Sequence, residues 1–73
     1  MEKPNQMTHL TENEFYKFLS TLTKAQRVVV EDNAIVNAHD TVYVEKARPV
    51  AELWDVAMAT AEMILDCPKD YGL

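Results

Sequence analysis

The feature that most constrains this chain is the position of its one glycine. Tight two-residue β-hairpins rely on positive φ, which glycine adopts at little cost, and Gly72 lies beside the C-terminus. No glycine is left for a hairpin inside the chain, so helices are expected to dominate. Seventy-three residues suffice for one domain, because a chain this short buries only about 60 % of the surface that its unfolded form exposes. A single core follows, with little room for a substrate cavity of several hundred Å³.

Helix starts are written locally. In LTENEF, Thr11 and Glu14 have the spacing of a capping box, and Leu10 and Phe15 that of a hydrophobic staple. A first helix is predicted over about 11–21, with Phe15, Phe18, Leu19 and Leu22 on one side. Thr23 and Gln26 repeat the box, predicting a second helix over 24–38 in which Ala25, Val28, Val29, Ile35 and Val36 share a face while Val30 and Ala34 point elsewhere. The β-branched run Val28–Val30 is equally compatible with a strand. His39 and Asp40 read as a turn, and 41–45 alternates as a short extended segment. Pro49 suits a helix first turn, Pro68 marks a helix end, and a third helix is predicted over 49–66. The expected fold is mainly α, a compact three-helix domain over 10–73 preceded by a flexible polar arm, 1–9. A small α+β domain with a two-stranded sheet is the alternative.

The third helix carries the most informative pattern. Val50, Leu53, Trp54, Ala57, Met58, Ala61, Ile64 and Leu65 form an apolar stripe, and Trp54 is assigned to the core with it. Glu52, Asp55, Ala59, Glu62 and Asp66 fall on the other side, and 52–66 contains no Lys or Arg. Solvated helix faces gain by mixing signs, whereas Glu62 and Asp66 are a like-charge pair at i, i+4. Acids also promote solubility, which is the plainer explanation of this face. Val56 and Met63 are expected to stand outward beside the acids, and apolar residues rimmed by charge mark protein-binding patches. Tyr43 and Tyr71 lie outside the strong helices and are minor candidates for the same role.

Composition bounds the chemistry. Twelve Asp/Glu against seven Lys/Arg give a formal charge of −5, which repels phosphate backbones and mildly opposes self-association, so a monomer that does not bind nucleic acid directly is expected. Cys67 is the only cysteine, so no internal disulfide forms and the cytoplasm is the default compartment. The N-terminal sequence has no apolar signal region, and no run is long enough to span a membrane. His9, His39 and Cys67 match no zinc-site spacing, exposed acids lack the burial that separates catalytic pKa values, and a glycine-rich phosphate loop has no second glycine to build it. Neither cofactor nor catalysis is expected.

From MEKPNQMTHLTENEF to LDCPKDYGL, the chain as a whole resembles the small phage-encoded regulators of bacterial RNA polymerase. The resemblance implies a non-enzymatic protein of the host bacterial cytoplasm that binds the β′ N-terminal region and the β flap. It further implies σ displacement, which blocks initiation, and antitermination during elongation. Two rival classes differ in kind. An acidic nucleic-acid mimic would inhibit a host defence nuclease with the same carboxylates, and a metal-free hydrolase would need Cys67 or His39 in a cleft.

Overall fold

A computed structural model describes residues 9–73, and the folded region is a three-helix domain with no strand among the described residues. The first helix, α1, spans Glu12–Leu19. It opens as its sequence dictates: the Thr11 hydroxyl accepts from the Glu14 N–H at 3.2 Å, and the Glu14 carboxylate accepts from the Thr11 N–H at 2.9 Å. At its other end the Ser20 and Thr21 hydroxyls donate to the Lys17 and Phe18 carbonyls, satisfying groups that a helix end leaves without partners. The second box follows at once, with Thr23 and Gln26 bonded reciprocally at 3.0 and 3.2 Å.

The second helix does not stop where a turn was expected. A continuous run over 24–44, here α2, comprises α-helix at Lys24–Val30, π-helix at Glu31–Ile35, α-helix at Val36–His39 and π-helix at Asp40–Val44. His39 and Asp40 keep right-handed helical angles, so the turn and the extended segment at 41–45 are replaced by helix. Propensity favoured the extended form, but no Gly or Pro interrupts 24–44, and packing of a buried face outweighs a few tenths of a kcal/mol per β-branched residue. The run ends at Lys46, whose φ of 55° turns the chain, while the Ala47 N–H reaches back to the Thr41 carbonyl at 3.0 Å.

The π-helical stretches also change which face is buried. Val30, Ala34, Ala38 and Val42 line the core, each four residues after the last, whereas Val28 and Val36 are 49 % and 57 % exposed. In a pure α-helix a step of four advances about 40° beyond a full revolution, so three steps would carry the row about 120° around the axis. Stretches with i→i+5 bonding take more residues per revolution and cancel that drift. The expected face at Val28 and Val36 is therefore wrong, and Val30 and Ala34, expected elsewhere, are core. Where the bonding pattern first changes, the Asn33 side chain donates to the Val29 carbonyl at 2.7 Å.

Pro49 precedes a 3₁₀ turn, Val50–Glu52, which runs into α3, Leu53–Asp66. Leu53, Val56, Ala57, Ala61 and Ile64 of α3 meet the α2 row and the buried Phe15 and Leu19 of α1. Small residues dominate the α2–α3 seam, where Ala34, Ala38, Ala57 and Ala61 are fully buried. Asn37 donates to the Thr60 hydroxyl across the two helices at 2.9 Å, and that hydroxyl donates in turn to the Val56 carbonyl. Trp54 is half-buried rather than central. Its ring centroid lies 5.3 Å from that of Phe15 and 5.8 Å from that of Tyr16, closing α1 against α3. After α3 the chain breaks at Cys67, makes a 3₁₀ turn over Pro68–Tyr71 and passes through Gly72 at φ 79°. Here the lone glycine supplies the left-handed angle that lets Leu73 N–H return to the Pro68 carbonyl.

Candidate functional site

The acidic stripe of α3 divides into two parts with different roles. At its start, the Glu52 carboxylate is paired with the Arg48 guanidinium at 2.7 Å. One turn on, Asp55 accepts from the Leu10 N–H at 2.8 Å and from His9 Nδ1 at 2.7 Å. Burial opposes ionisation of Asp55, but the Leu10 amide, His9 and the more distant Arg48 together outweigh it and hold the carboxyl below its ordinary pKa. These two acids therefore fasten the polypeptide entering α1 and the loop entering α3. Of the expected arm, 1–8 lies outside the described residues, and His9 is held by this link.

Val56 is a correction. It is 6 % exposed and belongs to the core, not to an outward patch. The buried sector of α3 is rotated toward Leu53, Val56 and Thr60, because α2 approaches on that side and is bonded there through Asn37 and Thr60. Of the other residues expected on the apolar stripe, Met58 and Leu65 are only partly buried, and Val50, in the 3₁₀ turn that precedes α3, is exposed. Tyr43 is 46 % exposed on α2, its ring stacked on His39 with centroids 5.2 Å apart, and it does not join the residues of α3.

The second half of the stripe has a different character. Glu62 and Asp66 are exposed and form no ion pair among the described residues, and Met63 between them is 62 % exposed. Beside them lies a cleft of about 220 Å³ lined by Met63, Asp66, Cys67, Asp70 and Tyr71. The 3₁₀ turn after Pro68 brings Asp70 and Tyr71 back against the end of α3. Tyr71 was a minor candidate from the sequence, whereas Asp70 was not singled out, although the P-K-D-Y-G run, with a turn-starting proline and a left-handed glycine, is the signal of such a return.

No family model, characterised protein or solved structure matches this chain.

A helix C-terminus carries partial negative charge and favours cations, by about 0.3–1 kcal/mol each. The last turn of α3 has no basic residue and ends on Asp66. Carboxylates and dipole thus add to one another at the cleft. This arrangement attracts positive charge more strongly than a solvated face needs to, at some expense in helix stability. No charged or polar residue is buried among those described. Cys67 does line the cleft, but no histidine lines it with Cys67: His9 is bonded to Asp55 and His39 is stacked on Tyr43. Among the described residues no group of three or more His, Cys, Asp or Glu is placed to hold a metal ion. No helix among them is long and apolar enough to cross a membrane.

Proposed function

We propose that this chain is a protein-binding regulator of bacterial RNA polymerase, and that the C-terminal end of α3 is its contact surface. The observation that carries the surface is an exposed Met63 set among Glu62, Asp66 and Asp70 beside a cleft, at a helix end without a basic residue. An apolar centre with a charged rim supports docking of a protein with a complementary basic rim. The polymerase is suggested by the resemblance of the whole chain to phage-encoded regulators. With it come the β′ N-terminal region and β flap as partners, σ displacement, antitermination and action in the host cytoplasm. On this reading the chain acts by occupancy and not by catalysis.

An acidic inhibitor of a nuclease is the second reading, because the same carboxylates suit a basic nucleic-acid channel. The two differ over Met63. A nucleic-acid mimic is indifferent to the thioether and loses binding only when charge is removed. A protein docking on an apolar centre loses binding with Met63→Asp while its salt dependence changes little.

The test is affinity for core polymerase and for its β′ N-terminal fragment across a salt series, using wild type, Glu62→Lys/Asp66→Lys and Met63→Asp. Both variants should weaken binding and reduce competition with σ. Raising ionic strength should weaken the wild type as the Debye length falls from about 8 Å to about 3 Å at 1 M. Polymerase binding equal to wild type in both variants would remove this surface, and no binding by wild type would remove the polymerase.

A further inference from the structure

We propose that the cleft at the end of α3 receives one arginine side chain of the partner protein. The inference rests on the protein-binding reading above and specifies what that surface recognises. The cleft, at about 220 Å³, is below the roughly 300–1,000 Å³ of sites for drug-sized ligands but large enough for a single extended side chain. Its lining divides by chemistry. Met63 and Tyr71 supply apolar walls suited to the methylene stem, and Asp66 and Asp70 supply two carboxylates for a cationic head. Asp66 closes a helix whose last turn has no basic residue, so the helix end reinforces the attraction.

Arginine fits this lining better than lysine for two reasons. A guanidinium is planar, stacks on an aromatic face such as that of Tyr71, and is weakly hydrated. It also carries five donors in a fork, so it can bond two carboxylates at once, whereas a lysine ammonium is a compact, strongly hydrated point charge. A metal ion is the poorer occupant, because the donor residues do not assemble into a group that could hold one. Cys67 completes the lining as a small, exposed side chain.

The experiment uses the full chain and three small probes: the N-acetyl N-methylamides of arginine, lysine and citrulline, titrated at millimolar concentration and followed by two-dimensional NMR. Arginine should give saturable shifts concentrated at the Met63 methyl, the Tyr71 ring and the Cys67 amide. Lysine should bind several-fold more weakly, and citrulline, which keeps the shape without the charge, should give no saturation. Asp66→Asn/Asp70→Asn should reduce arginine affinity by roughly tenfold or more. Both residues are exposed, so the fold should persist, as the unchanged remainder of the spectrum would confirm. Tyr71→Leu, which keeps the acids and the bulk, should abolish the preference for arginine over lysine. Equal shifts from arginine and lysine spread over distant acids such as Glu12 and Asp32 would overturn the proposal, as would undiminished binding by Asp66→Asn/Asp70→Asn. Arginine and polymerase binding, both measured on the wild type, separate this inference from the polymerase reading. Arginine captured in the cleft by a protein that ignores polymerase leaves the cleft and removes the polymerase. Polymerase bound by a protein that ignores arginine does the reverse.

Discussion

Replacing Asp66 by lysine should make the protein more stable and a worse binder. Asp66 is the last residue of α3, exposed, four residues after Glu62 and without a cation in its turn. The wild-type pair is repulsive by about 0.2–0.5 kcal/mol, and Glu→Lys at the same spacing and in this order is attractive by a similar amount. Reversing the sign of a charge at the helix end changes the dipole contribution from unfavourable to favourable, about 0.3–1 kcal/mol in each direction. Solvent exposure places each contribution at the low end of its range, so the sum is about 1–2 kcal/mol. For a domain of this size 1 kcal/mol moves the melting temperature by about 4–8 °C. Thermal and urea denaturation in low salt should therefore show a rise of at least about 4 °C and a higher urea midpoint. Much of that gain should vanish in 1 M NaCl, where the Debye length is about 3 Å. A lowered midpoint in low salt would refute the reasoning, since it would mean that Asp66 makes a favourable contact that lysine destroys.

Three further outcomes follow from particular residues. Val56→Asp should destabilise by several kcal/mol and lose the cooperative urea transition, because it puts a carboxylate in the core; an intact transition would return Val56 to the surface. Lys46→Gly should raise the unfolding free energy by up to about 1 kcal/mol, seen as a higher urea midpoint, since Lys46 holds a φ of 55° that glycine adopts without strain. Asp55 has a depressed folded-state pKa, so its link to Leu10 and His9 contributes stability above the unfolded-state value of about 3.9 and loses it as pH falls through the folded value. Acid titrations of stability should accordingly be steeper below about pH 4 for wild type than for Asp55→Asn.

How much of this was legible in the sequence depended on the distance over which each feature is determined. Both capping boxes are contained in four residues, and both formed as written. The buried face of α2 is not legible because its period depends on π-helical stretches for which EDNAI and DTVYV carry no local mark, and the alternation over 41–45 points to an extended segment. Val56 was misplaced because the sector of α3 that turns inward is chosen by the approach of α2, a tertiary fact. Asp55 looked like one more exposed acid, since its partners are 45 and 46 residues away in sequence. The exposure of Glu62, Met63 and Asp66 side by side follows from helical spacing, whereas Asp70 joins them through a turn whose direction depends on how Tyr71 and Leu73 pack against the core.

The seam of alanines between α2 and α3 also sets the order in which the molecule opens. That pair is joined along its length by Ala34, Ala38, Ala57 and Ala61 and fastened by Asn37 and Thr60. Helix α1 gives the core Phe15 and Leu19, with Phe18 partly buried against it, and is further held by its ring contacts to Trp54 and by the Asp55 link. Detaching α1 removes one end of the core and leaves the seam intact, so amide protons of 12–19 should exchange with solvent sooner than those of the seam. Trp54 is the side chain uncovered by that motion, which makes its fluorescence a reporter of a partly open form in which the end of α3 remains in place.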